Sequence, residues 1–191
     1  MDDQWQVTGN AAETYERALV PAVFAPWAPH VVALADPQTG ERVLDIACGT
    51  GLIARLAAER VGRTGNVTGL DLNPGMLSFA ASITSPDPAT SAPITWREAS
   101  ATNMPLPDAA FDVVYCQLGL QFFPDRPAAM REMYRVLVPG GRLGRTHPTS
   151  AVLSDAWYFA KRVTLSLALR SSGDAGRGFG RVGAAAALVA G

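Results

Sequence analysis

The sequence predicts a doubly wound, mostly parallel α/β sheet. Three observations predict it. Strand-like apolar runs alternate with helical segments five times along the chain. The first two runs, Arg42–Ala47 and Asn66–Asp71, each carry an acid at their far end, followed by a turn and a helix. The connections are long enough to return each strand parallel to its neighbour.

The elements follow in order. Residues 1–10 are polar and irregular. From Ala11 to about Ala35 the pattern is helical but interrupted by Pro21, Pro26 and Pro29. Two helices are expected there, with Pro21 starting a turn and Phe24, Trp27, Val31 and Leu34 forming an apolar stripe. Asp36-Pro37-Gln38-Thr39-Gly40 is a turn. Arg42–Ala47 is the first strand. Leu52–Arg60 is a helix with Ile53, Leu56 and Ala57 facing inward. Asn66–Asp71 is the second strand. Asn73 caps the next helix and Pro74 occupies its first position. Ile94–Arg97 is a short third strand. Phe111–Cys116 has the unbroken apolar character of a strand covered on both faces. Arg126–Leu137 is a helix with Met130, Met133 and Leu137 at helical spacing. Pro139-Gly140-Gly141 stops it, and a fifth strand begins at Arg142.

Composition narrows the function classes. Hydrophobic residues make up 48% and charged residues 17%, which fits a globular chain. A net charge of -1 favours no polyelectrolyte partner, so nucleic acid is not expected. Cys48 and Cys116 make no disulfide framework, as in a reduced, cytoplasmic protein. With two histidines and no ligand spacing, no metal site is expected. No apolar run is long enough for a membrane span.

The chemistry concentrates at Val43-Leu44-Asp45-Ile46-Ala47-Cys48-Gly49-Thr50-Gly51 and Val67-Thr68-Gly69-Leu70-Asp71. Gly49 and Gly51 let the backbone turn sharply and approach a ligand. The free amides of the following helix point at the same place. Asp71, at a strand tip, suits the two hydroxyls of a ribose. Asp45, just before the glycines, suits a cationic group such as an amino acid's ammonium. Leu72 and Met76 are placed to flank a purine or to pack in the core. Gly49-x-Gly51-x-x-Ala54 also fits a dinucleotide fingerprint, with Asp71 at the spacing for a ribose. Asp45 and the later motifs separate the two readings.

Those motifs carry a family resemblance. The chain resembles class I S-adenosylmethionine-dependent methyltransferases, of the group that includes the ubiquinone and menaquinone biosynthesis enzymes. Val43–Gly51 resembles their first motif and Val67–Leu77 the acidic loop after it. Trp96–Asp112, Gln121–Asp125 and Arg135–Gly141 resemble the later segments, so the likeness runs over roughly residues 10 to 144. It implies a Rossmann-like methyltransferase sheet and S-adenosyl-L-methionine as cofactor. It also implies a small-molecule methyl acceptor. Asp45, Ala47, Gly49, Thr50 and Gly51 would hold the methionine end, Asp71 the ribose, and Ser100 and Ala101 the adenine edge. The family usually has an acid where Ser100 stands and often a glycine where Ala47 stands. Alanine suits that place if its φ is negative. Tyr15 would sit at the entrance.

Methyl transfer asks for alignment behind an activated methyl and for exclusion of water. A base helps only a protonated acceptor. Gln117 and Gln121, near the fourth strand tip, and His147, after the fifth strand, are the candidates, and Gln117 is also expected to touch the cofactor. His30 and Cys116 read as structural. The resemblance divides the chain into a helical cap (1–40), a cofactor core (41–148) and an atypical tail (149–191). A helix is expected over Ser150–Leu169. The tail does not read as the further strands the family adds, so the sheet is expected to be incomplete at its C-terminal end. The fifth strand would then be an open edge, able to pair with a second copy. A non-catalytic, cofactor-binding module is the alternative function.

Overall fold

A computed structural model describes residues 11–83, 87–146 and 159–160. Helix α1 (Ala11–Thr14) runs into a π-helical segment, Tyr15–Phe24, and α2 spans Ala28–Ala35. Then come β1 (Arg42–Ile46), α3 (Leu52–Val61), β2 (Asn66–Asp71), α4 (Pro74–Ser82) and β3 (Ile94–Glu98). They are followed by β4 (Phe111–Gln117), a 3₁₀ turn (Leu120–Phe122), α5 (Arg126–Val136), β5 (Leu137–Thr146) and β6 (Phe159–Ala160). The strands form one sheet in the order β3-β2-β1-β4-β5-β6. All neighbouring pairs are parallel except β5 with β6.

The alternation of side chains across the central strands builds two cores. Val43, Val113 and Tyr115 face α2 and α3. Leu44, Ile46, Val114 and Cys116 face α5. Tyr115 is fully buried, and its hydroxyl donates to the Val32 carbonyl at 3.0 Å. Arg142 donates to the Ala35 carbonyl at 2.7 Å and pairs with Glu41. Together with buried Ala28, Val31, Val32 and Ala35, these contacts fix α2 to the sheet. Asn73 caps α4, accepting from the amides of Gly75 and Met76. Asp125 caps α5 in the same way through Ala128.

Four expectations need correction. Pro21 lies inside the π segment rather than starting a turn. Widening the turn to i→i+5 relieves the clash between a proline ring and the carbonyl four residues back. Trp27 and Leu34 are 37% and 48% exposed and Phe24 is only half-buried, so of the anticipated stripe Val31 alone is core. β5 begins at Leu137, not Arg142. Its register against β4 shifts between Phe111 and Val113, and Gly140 sits at φ 81° in the bulge. Phe159–Ala160, anticipated as helix, is an antiparallel strand paired with Leu143 and Gly144. The edge of β5 is therefore covered over that short stretch. The rest of the anticipated 150–169 helix lies outside the described residues. Among the described residues, no single helix is long and apolar enough to cross a membrane.

Candidate functional site

The strand order reverses between β1 and β4, because β1 leads outward through β2 to β3 while β4 leads to β5. Ligand sites of open α/β sheets form at such a point, beyond the carboxyl ends of the strands. Asp45 stands near the end of β1, 2% exposed, and accepts from the Ala54 amide of α3 at 3.1 Å. Burial pushes its carboxyl up to about 8, against the pull of the Ala54 amide, and nearby Asp71 adds to the rise. Asp71 ends β2, half-buried. It accepts from the amides of Gly49 at 2.8 Å and Asn73 at 2.9 Å. Burial raises its pKa too, and the amides of Asn73, Gly49 and Leu72 oppose that rise.

Between the two acids runs the glycine turn. Gly49 and Gly51 take φ 55° and 85°, where only glycine is free of strain. Ala47 takes φ 54°, which overturns the expectation of a negative φ there. The turn needs a left-handed residue at this point, which accounts for the glycine that the resemblance anticipates. Gly119 is the complement of Ala47: a Cβ on Gly119 would lie 2.7 Å from the Ala47 Cβ. Beneath the turn lies the Trp96 indole of β3, against both Gly51 and Gly69.

The π segment covers the other side. Tyr15, Phe24, Asp45, Ala47, Cys48, Thr50, Leu52, Ile53 and Gln117 surround a cleft of about 300 Å³, counting its open mouth. The Tyr15 hydroxyl lies 3.5 Å from where a Gly49 Cβ would stand. Burial raises its pKa, helped by Asp71 and Asp45. Gln117, at the tip of β4, donates to the Phe24 carbonyl at 3.5 Å. Thr50 Oγ1 donates to Glu16 Oε2. Arg55 donates to the Thr50 carbonyl at 2.6 Å and to Glu16 Oε1 at 3.3 Å. Glu16, Arg55 and Trp96 escaped sequence reasoning. The partners of Glu16 lie 34 or more residues away, and no local periodicity marks the contact.

The remaining candidates divide. Leu72 is 41% exposed beside Asp71, while Met76 is buried. Ser100 closes a tight turn: its hydroxyl bonds Thr102 Oγ1 at 2.9 Å and accepts from the Thr102 amide. The Ala101 side chain is buried in the α5-side core. Gln121 lies in the 3₁₀ turn outside the lining of the cleft, with its carbonyl bonded to Arg126. His147 lies outside the described residues. His30 is exposed beside Trp27. Cys116 is buried in strand core, and burial pushes its thiol up to about 12, so it is no ready nucleophile.

The donor set fits a nucleoside joined to an amino acid. A carboxylate stands at each of two adjacent strand tips, and a turn opened by Gly49 and Gly51 lies between them. A parallel, Rossmann-like sheet with this site is that of the class I methyltransferases. The chain belongs to the methyltransferase domain family, whose model matches residues 44–144. Within that family it is related to the ubiquinone/menaquinone biosynthesis group. It is 42% identical over 136 residues to the ubiquinone/menaquinone biosynthesis C-methyltransferase UbiE of Xanthomonas campestris, covering 69% of this chain and 51% of that one. It is 41% identical over 118 residues to the chloroplastic 2-phytyl-1,4-beta-naphthoquinone methyltransferase of Arabidopsis thaliana, covering 61% and 45%. Among solved structures it is similar to an arsenic(III) S-adenosylmethionine methyltransferase from Chlamydomonas reinhardtii. That match has a TM-score of 0.52 and 33% identity, covering 55% of this chain and 38% of the other. The chain spans about half the length of the curated relatives it matches.

Proposed function

We propose that the chain binds S-adenosyl-L-methionine in the cleft between the β1–β2 tips and the π segment, and directs its methyl group to a small-molecule acceptor. The observation that carries this reading is the pair of strand-tip carboxylates, Asp45 and Asp71, on either side of the Gly49–Gly51 cradle. Asp71 has both oxygens turned toward donors and suits the ribose diol. Asp45, with the Ala47–Gly51 turn, suits the ammonium of the methionine end. Leu72 and Met76 flank the purine, and the 100–101 turn meets its edge. The cofactor supplies an activated methyl on a sulfonium; the protein orients the acceptor and excludes water.

The described lining also bears on the acceptor. It contains no histidine or lysine. The half-buried Tyr15 phenol is held protonated at neutral pH, and Asp45 is taken up by the ammonium of the methionine end. An acceptor that arrives already nucleophilic, such as an electron-rich ring carbon, suits this cleft. By analogy with the relatives above, the reduced, hydroquinone form of a quinone is the first candidate.

The test is titration calorimetry of the full chain with S-adenosylhomocysteine, followed by a methyl-transfer assay with reduced quinones. Micromolar binding and turnover are expected. Binding without turnover favours the alternative reading, a cofactor-binding module without catalysis. The specific observation behind that alternative is Ser100, whose hydroxyl is committed to Thr102 where the resemblance leads one to expect an acid. Absence of binding by folded protein removes both.

A further inference from the structure

We infer that Glu16 is a built-in competitor for the cofactor's amino-acid carboxylate: it occupies a clamp formed by the Thr50 hydroxyl and the Arg55 guanidinium, and the ligand must displace it. The inference rests on the S-adenosylmethionine reading of the cleft.

The clamp is a carboxylate site by its chemistry. One Glu16 oxygen accepts from a hydroxyl and the other from a guanidinium. Arg55 is itself aimed by a 2.6 Å bond to the Thr50 carbonyl. The Glu16 and Arg55 side chains are only 23% and 15% exposed, so the pair is partly shielded from water. Thr50 belongs to the glycine turn and lines the cleft together with Asp45. In an α-amino acid the ammonium and carboxylate share one carbon. A ligand that brings its ammonium toward Asp45 therefore brings its carboxylate to the neighbouring groups. No cationic side chain is among the described lining of the cleft. Arg55 stands directly behind Thr50 and supplies the positive charge, and Glu16 now takes it.

The segment that carries Glu16 is lightly held. The α2 half of the cap is fixed by four buried side chains and the Tyr115 and Arg142 bonds. In the π segment Val20 alone is buried. Its polar ties to the sheet side include the clamp and the 3.5 Å bond from Gln117. A tethered carboxylate acts at a high effective concentration and lowers apparent affinity by the fraction of time the clamp is free.

The experiment compares wild type, Glu16→Gln and Glu16→Ala, as full chains, in titrations with S-adenosylhomocysteine and with 5′-methylthioadenosine. The second ligand has the nucleoside and thioether but no amino acid. Both variants are expected to bind S-adenosylhomocysteine about five-fold more tightly and 5′-methylthioadenosine within two-fold of wild type. Weaker or unchanged S-adenosylhomocysteine binding overturns the inference, because Glu16 then only fastens the cap. Equal tightening of both ligands overturns it too, since the effect is then general opening. If wild type binds neither ligand, the cofactor reading fails and the inference fails with it. If wild type binds both and the variants do not differ, only the inference fails.

Discussion

The tips of β1 and β2 carry the same sequence signal, an apolar run with an aspartate at its end, yet they become two different sites. Asp45 is nearly dry and has a single backbone donor, Ala54. Its carboxyl is pushed up to about 8. Asp71 is half-buried and is met by the amides of Asn73, Gly49 and Leu72, which hold down the rise that burial causes. One turn separates them, and that turn donates its Gly49 amide to Asp71 rather than to Asp45. Burial and amide supply, rather than residue type, set the charge state of a carboxylate. The β2 tip is an acceptor whose lone pairs are fixed by backbone amides. The β1 tip is an acid awaiting a cation.

The largest effect is expected at the β2 tip. Asp71→Asn replaces one carboxylate oxygen with an NH2 group that must face the Gly49 or Asn73 amide, donor against donor. Affinity for S-adenosylhomocysteine should fall about 100-fold in calorimetry, ~2.7 kcal/mol. A loss under three-fold would show that Asp71 is not the nucleoside anchor.

Next comes the contact that joins the tips. Trp96 lies under Gly51 of the turn and Gly69 of β2. A Cβ at Gly51 would overlap the indole, with Cζ3 at 2.9 Å, at a φ of 85°. Gly51→Ala should cost ~2 kcal/mol in urea unfolding. Pairing it with Trp96→Leu should recover the steric part and leave the backbone part. If the pair is no better than the single change, the turn does not rest on the indole.

The β1 tip should show itself through pH. Asp45 ionises near 3.8 when unfolded and near 8 when folded. The folded state therefore binds more protons across that window. The stability this gives is full below the unfolded value and is lost as pH rises toward about 8. Asp71 is shifted in the same direction and adds to the slope. Asp45 alone should take away up to ~1.4 kcal/mol per pH unit between about 5 and 8. Asp45→Asn should flatten that line, since its amide oxygen still accepts from Ala54. Equal slopes in the two proteins would remove the distinction between the tips.

The smallest effect is at Ala47. Relief of its left-handed backbone is opposed by the greater freedom of glycine in the unfolded chain. Ala47→Gly should raise stability by ~0.5 kcal/mol, read from the unfolding midpoint. Destabilisation would mean that the strain is balanced by packing of the Ala47 methyl against Gly119.

Most of this architecture was legible in the sequence, and the exceptions share a cause. β1, β2 and β4 were visible because buried parallel strands are written as short apolar runs. Asp45, Asp71 and the glycine turn were visible because their spacing is local. The π geometry at Pro21, the bulge that starts β5 at Leu137 and the strand at Phe159–Ala160 were not. Each depends on what the segment meets after folding, and its own residues suit more than one conformation. The same holds for Glu16 with Thr50 and Arg55, where a helix far upstream supplies half of the contact. Exposed Trp27 shows the converse error: helical spacing alone cannot tell a stripe that packs from one that faces water.

The indole under the glycine turn has one more use. Trp96 is half-buried against the glycine turn of the candidate cleft, whereas Trp27 is exposed to solvent. Exchanging Trp5, Trp27 and Trp157 for phenylalanine leaves a single emitter seated beneath the cradle. Its emission then becomes an internal gauge of the turn, and stopped-flow mixing can follow arrival of a nucleoside in real time without any attached dye.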